Sequence, residues 1–299
     1  MWFRNLQIFR LTDGWDFSSA QLTEKLQRGV FQGCGATERM VRGWVPPRGE
    51  VGELVFSVER QQLLALGIEQ KLLPSAIVNQ YAQEKITAIE AAQGYKPGRK
   101  QSREIRDAVE LELLPRAFVK RALTYVWIDP VNRWLVVDAA SSARADEVID
   151  QLKLSLGSLP LTLLKTQLAP GTALTQWLAA GEAFGNFTID RDCELQAVAE
   201  ERAAVRYVRH NLDSNDVRAH ISAGKTATRL ALTWNGRVSF VLTEQLQIKR
   251  VAFLDMTKEN AERQSENAED LFAADFALMS GELAHLLAHL AEALGGEAE

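Results

Sequence analysis

Lys96, Arg99, Lys100, Arg103 and Arg106 place five cations in a short stretch in which Glu104 is the single acid. Lys and Arg crowded in this way attract polyanions, and they are the side chains that contact phosphate oxygens. Arg206, Arg209, Lys225, Arg229 and Arg237 form a second set around an expected hairpin. For each set the plain alternative is a solvated face, which composition alone leaves open. The charge is unevenly spread. The formal net charge is −5, yet Asp255–Glu299 carries 11 acidic and 2 basic residues, a balance of −9, so the first 254 residues are net +4. Residues 202–250 hold nine basic against three acidic residues, and 96–121 hold eight against four. Such asymmetry points to a polyanion partner. With no zinc finger, recognition-helix signature or aromatic RNA-binding motif, nucleic-acid binding is expected to be sequence-tolerant.

Other chemistries are weaker. Ala223-Gly224-Lys225-Thr226 looks like the end of a phosphate-binding loop, but Ala219 stands where the motif needs glycine. The residues before it read as a helix, so Gly224 is expected to cap that helix and Lys225 to start a strand. His285 and His289 have the spacing of two metal ligands on a helix, but they flank an apolar stripe and are expected to be solvated. Asp129 and Asp138 bracket a hairpin, and Asp190 and Asp192 lie two apart. Paired carboxylates can hold Mg²⁺ for nuclease work, but no lysine or third acid stands beside them at a recognisable spacing. Cys34 and Cys193 are far apart and form no metal-binding pair. Neither a catalytic constellation nor a cofactor is expected, so the residues favour a non-enzymatic protein.

These groups need a scaffold. Trp2–Leu11, Leu54–Val58 and Gln62–Ile68 read as strands, and Ser19–Arg28 as a helix. A helix opening at Pro74-Ser75 and ending near Gly94 is followed by a Tyr95-Lys96-Pro97-Gly98 turn. A second helix, N-capped by Ser102, then runs to about Leu114. That spacing leaves Lys96, Arg99 and Lys100 on the tip of a helical hairpin. Strands Thr124–Ile128 and Trp134–Asp138, a helix over Ser142–Leu154 and a helix over Thr172–Ala180 follow. Ala227–Trp234 and Arg237–Leu242 form a hairpin whose Asn235-Gly236 supplies a type I′ turn. Phe272, Phe276, Met279, Leu283, Leu286 and Leu290 step by four and three along one long amphipathic helix. No run of about 20 apolar residues for a membrane span and no secretory leader is read, which suggests a cytoplasmic protein. The class is α+β, with mixed or antiparallel sheets and a projecting helical hairpin. The expected domains are 1–166, carrying the hairpin as an insertion at 74–114, and an α+β domain at 167–299.

The order of short motifs over the whole chain resembles the bacterial recombination-associated RdgC family. They include Trp2-Phe3-Arg4-Asn5-Leu6, Gly43-Trp44-Val45-Pro46-Pro47, Lys71-Leu72-Leu73-Pro74-Ser75 and Leu113-Leu114-Pro115-Arg116-Ala117-Phe118. Trp127-Ile128-Asp129, Ser155-Leu156-Gly157-Ser158-Leu159-Pro160, Ala223-Gly224-Lys225 and Met279-Ser280-Gly281-Glu282-Leu283 continue the series. The resemblance implies a homodimeric ring around duplex or single-stranded DNA, association with the nucleoid, and restraint of the recombinase RecA. It also makes Phe118 a candidate dimer contact, flanked by Arg116, Lys120 and Arg121 as further DNA candidates. Arg209 and His210 fall where the family carries a polar, basic pair. The runner-up is a protein that contacts the recombinase or another partner directly through the terminal helix stripe.

Overall fold

From Val126 to Asp129 and from Trp134 to Val137 every residue is buried, and successive apolar side chains enter different cores, as strand geometry requires when both faces are covered. The computed structural model describes residues 1–198, 201–254 and 268–298. Its strands are β1 (Leu6–Leu11), β2 (Met40–Val45), β3 (Phe56–Val58), β4 (Gln61–Leu72), β5 (Phe118–Asp129) and β6 (Trp134–Asp138). They continue with β7 (Leu161–Leu163), β8 (Phe187–Ala197), β9 (Ala204–Tyr207), β10 (Lys225–Trp234), β11 (Val238–Thr243) and β12 (Ile248–Phe253). The described helices are α1 (Ser19–Leu26), α2 (Ser75–Gln93), α3 (Arg99–Leu113), α4 (Ser142–Leu156), α5 (Pro170–Ala180), α6 (Asn215–Ser222) and α7 (Ala268–Ala293).

All twelve strands join one sheet, ordered β2-β4-β5-β6-β1-β12-β11-β10-β8-β9, with β3 on β4 and β7 on β1. Every strand pairing among the described residues is antiparallel, so the mixed alternative falls away; a lone parallel bridge joins Val30 to Trp44. The sheet runs through both expected domains, because β1 pairs with β6 on one side and with β12 on the other.

Val126, Ile128, Leu135 and Val137 pack beneath Val148 and Leu152 of α4 and Leu22 and Leu26 of α1. Trp127, Trp134 and Val136 enter the main core with Phe276, Met279, Leu283, Leu286 and Leu290 of α7. That settles the terminal stripe: it is interior, apart from the partly buried Phe272, whose ring meets Phe56 at 5.1 Å. The docking surface of the direct-contact alternative is therefore not available. Glu269–Ala293 is also long and apolar enough to cross a bilayer, which the sequence reading overlooked; its buried face fills the core of this fold.

Several boundaries moved. β1 starts at Leu6 rather than Trp2, and β4 extends to Leu72. Helix α3 begins at Arg99 behind Gly98, so Ser102 lies inside it, donating its hydroxyl to the Pro97 carbonyl at 3.3 Å rather than capping. Gly43 sits where the chain crosses itself, since a Cβ there would stand 2.5 Å from Phe31 backbone atoms. Beside it, the Trp44 indole donates to Ser155 Oγ at 2.9 Å, joining two of the motif stretches. The Asn235-Gly236 turn stands as read, with φ of +50° and +66° and the Arg237 N–H closing on the Trp234 carbonyl.

Candidate nucleic-acid interface

Between β4 and β5 the chain leaves the sheet as α2 and α3, turning at Gly94 in the left-handed conformation (φ +81°). This arm has its own small core of Val78, Ala82 and Val109, with Leu73, Ile105 and Leu113 packed against it. On α3, Arg99, Arg103 and Arg106 recur at i, i+4 and i+7, which places them within about 60° of one another at 3.6 residues per turn. Because the helix starts at Arg99, Arg99 and Lys100 belong to it rather than to a loose tip. Lys96, Arg99, Lys100 and Arg103 are exposed, and Arg106 is half-buried and donates to Asn79 Oδ1 at 2.8 Å. At the foot of the arm, Arg116 and Lys120 are exposed. Among the described residues no carboxylate lies within 4 Å of Lys96, Arg99, Lys100, Arg103, Arg116 or Lys120.

Arg121 is different. It reaches the buried Glu69 at 3.2 Å, directly opposite on β4. Glu69 is held below the ordinary carboxylate range chiefly by the Cys34 N–H it accepts, with Arg121 adding to the effect. Arg39 pairs with Glu110 of α3, tying the arm to the loop before β2. Phe118 is 84% exposed at the start of β5, opposite the exposed Leu72, with Val119 and Leu123 also exposed. β6 pairs with β5 only over Val126–Asp129, so from Phe118 to Tyr125 one edge of β5 has no strand partner among the described residues.

The second expected patch divides. Arg206 and Arg229 line a cavity of about 150 Å³ with Asn5, Asp192, Glu194 and Tyr207. Arg209 is exposed nearby, in a left-handed conformation (φ +52°), with its N–H donated to Asp192 at 2.8 Å. The exposed His210 has its ring 5.0 Å from that of Tyr207. Lys225 turns instead to His220 at 3.3 Å, and Arg237 pairs with Glu282 of α7 at 2.9 Å. Two cations that the sequence reading did not single out, Lys249 and Arg250, line the same cavity. They fell within the basic segment 202–250, but strand alternation would have put neighbours on opposite faces.

The residues weighed for catalysis are occupied as follows. Asp129 is fully buried and accepts the N–H groups of Val131 and Asn132, which is turn chemistry. Asp138 accepts those of Arg4 and Asn5, and burial raises its pKa. Asp190 accepts the Thr233 hydroxyl, and burial raises it too. A third acid does stand beside the Asp190/Asp192 pair: Glu194, two residues on, shares the cavity with Asp192 and, at 3.8 Å, reaches Arg229. Gly224 ends α6 just after its C-cap Ala223, at φ +85°, and Lys225 begins β10, in line with the helix-end reading preferred over a phosphate loop. His285 is exposed, whereas His289 is half-buried beside the Trp234 indole N–H at 3.1 Å, which corrects its reading as solvated. Both cysteines are free, and burial pushes the Cys193 thiol up to about 11.

A family model described as "Putative exonuclease, RdgC" matches residues 1–297. The recombination-associated protein RdgC of Dechloromonas aromatica is 53% identical to this chain, covering 99% of it and 98% of that protein. That of a Janthinobacterium strain is 53% identical over 100% and 99% of the two chains, and that of Bordetella pertussis 52% identical over 99% of each.

Proposed function

The chain belongs to the RdgC family, and on that premise we propose that it is a non-enzymatic protein that grips duplex and single-stranded DNA by the phosphate backbone. It does so without sequence preference, as a homodimer that closes around the DNA, and it restrains RecA-type recombination by occupying the strand. Its place is the cytoplasm, on the nucleoid. The observation that carries this reading is the arm: exposed cations with no carboxylate within 4 Å among the described residues, two of them, Arg99 and Arg103, aligned on one helix face. Cations left unpaired are the ones free to displace counterions from DNA, and each phosphate contact contributes about 0.9 to the salt slope on duplex.

The test is charge reversal at Arg99, Lys100 and Arg103 together. Duplex affinity should drop steeply and the slope of log K against log salt should flatten by roughly 2 to 3. Unchanged retention would take the arm out of DNA binding and favour direct contact with the recombinase, through a surface other than the buried α7 stripe. Closure rests on Phe118 and the open edge of β5, and a closed ring should survive a salt challenge better on circular than on linear DNA. Equal loss from both would remove encirclement. The family model's description raises exonuclease activity as the competing reading; incubating end-labelled DNA with Mg²⁺ decides it, since release of nucleotides would overturn the non-enzymatic assignment.

A further inference from the structure

The cavity on the open face of the C-terminal sheet is built by three departures from regular strand pairing. On β11 the register steps from Ser239 to Val241, two residues, while β12 steps from Ala252 to Lys249, three. The extra residue puts Arg250 at φ +56°. Glycine is the residue that takes that conformation without strain, and a bulge re-aims side chains that would otherwise alternate. Val251 stays in the core while both Lys249 and Arg250 reach the cavity. On β10 an extra residue, Thr228, lies between Ala227 and Arg229 where β8 has consecutive Leu195 and Glu194. On β8 two extra residues fall between Ile189 and Cys193, against Leu232 and Leu230. Three adjacent irregularities thus accompany Arg229, Lys249 and Arg250 around one hollow, and regular pairing of β9 opposite Glu194 adds Arg206.

We propose that this hollow is a seat for a single phosphodiester group of a DNA strand. The inference rests on the DNA-binding reading and adds to it a site separate from the arm. Four cations face two acids there, which leaves the hollow net positive. Asp192 and Glu194 act as positioning residues: they lie 4.0 Å from Arg250 and 3.8 Å from Arg229, and Glu194 also accepts the Thr228 hydroxyl at 3.0 Å. Each guanidinium, with five N–H donors, keeps several free for an anion. The volume, about 150 Å³, suits a phosphate with its waters and is below the roughly 300 Å³ at which drug-sized ligand pockets begin. Backbone strain of this kind, held by an Arg where Gly would relax it, points to a use for the side chain.

Arg250→Gly tests the seat without breaking it, because glycine keeps the bulge and removes only the cation. Binding of a labelled oligothymidylate is followed by anisotropy across a salt series for the wild type, Arg250→Gly, Lys249→Gln and the double variant, beside thermal unfolding. The seat requires the unfolding midpoint of Arg250→Gly to hold or rise while its salt slope falls by about 0.7, and the double variant to lose about 1.4. A slope that stays at the wild-type value, with wild-type binding intact, overturns the seat and leaves the DNA reading standing. A lowered midpoint for Arg250→Gly overturns the strain argument. Failure of the wild-type protein to bind the oligonucleotide removes both.

Discussion

The arm and the open face of the C-terminal sheet both present clustered cations, but they hold them by different physical means. On α3 the helical repeat alone aligns Arg99, Arg103 and Arg106, with no unusual backbone and, among the described residues, no carboxylate within 4 Å of Arg99 or Arg103. On the sheet, bulges and a left-handed Arg250 gather the charges, and Asp192 and Glu194 stand among them. The supports differ as well. Beneath the arm lies a core of three buried side chains, whereas the sheet face backs onto the main core with Leu230, Leu232, Phe240 and α7. A small core lets a segment open at low free energy, and a large one fixes geometry. The arm is therefore suited to reaching and adjusting, and the sheet face to holding a ligand in a set position.

The largest effect should come from the main core. Phe276 is completely buried, and Phe276→Ala should lower global stability by about 3–5 kcal/mol in denaturant unfolding. Val109→Ala, in the arm, should leave the sheet's transition almost unmoved and appear as faster amide exchange confined to α2 and α3. A global loss from Val109→Ala as large as that from Phe276→Ala would show that the arm is no separate unit.

Next in size is self-association. Phe118 is 84% exposed, so replacing it by Ser should change the stability of the monomer by less than about 0.5 kcal/mol. If it anchors closure of a dimer, the same change should weaken association by at least about 2 kcal/mol, roughly 30-fold, read as solution mass against concentration. An unchanged dimer would place the contact elsewhere and leave Phe118 as an exposed β5 residue without that role.

Much of this contrast was legible in the sequence, for reasons that differ by element. The α7 stripe at Phe276, Met279, Leu283 and Leu286 was plain because a 3.6-residue period declares a face. Asn235-Gly236 declared its turn because few residues tolerate those φ values. The start of α3 was missed because Ser102 offers a better capping side chain than Gly98, yet the chain takes up helix as soon as Pro97 and Gly98 are passed. Lys249 and Arg250 were missed because a bulge cancels the alternation on which strand reading depends, and an Arg at φ +56° carries no sequence signal for one. That Arg237 and Lys225 leave the patch for Glu282 and His220 follows from packing between elements distant in sequence.

The smallest effect separates the two regions by sign. Glu69, at the arm's foot, sits below its ordinary value, mainly through the Cys34 N–H and then through Arg121, so the unfolded chain binds its proton more readily. Its stabilisation is present above the ordinary carboxylate pKa, near 4, and is lost as pH falls below it. Asp190, on β8 two residues before Asp192, is raised by burial and by the charge of Asp192, against the Thr233 hydroxyl bond. There the native state holds the proton more tightly, so destabilisation sets in as pH rises past about 4 and fades in acid. Glu69→Gln should therefore lower the unfolding midpoint at neutral pH and speed exchange at the foot of β4 and β5, with both differences from the wild type vanishing toward about pH 3. Asp190→Asn should raise the neutral midpoint slightly, with the difference also vanishing in acid. Thermal melts and amide exchange at both pH values read the two signs, and a shift of the same direction for both variants at neutral pH would remove this distinction between the regions.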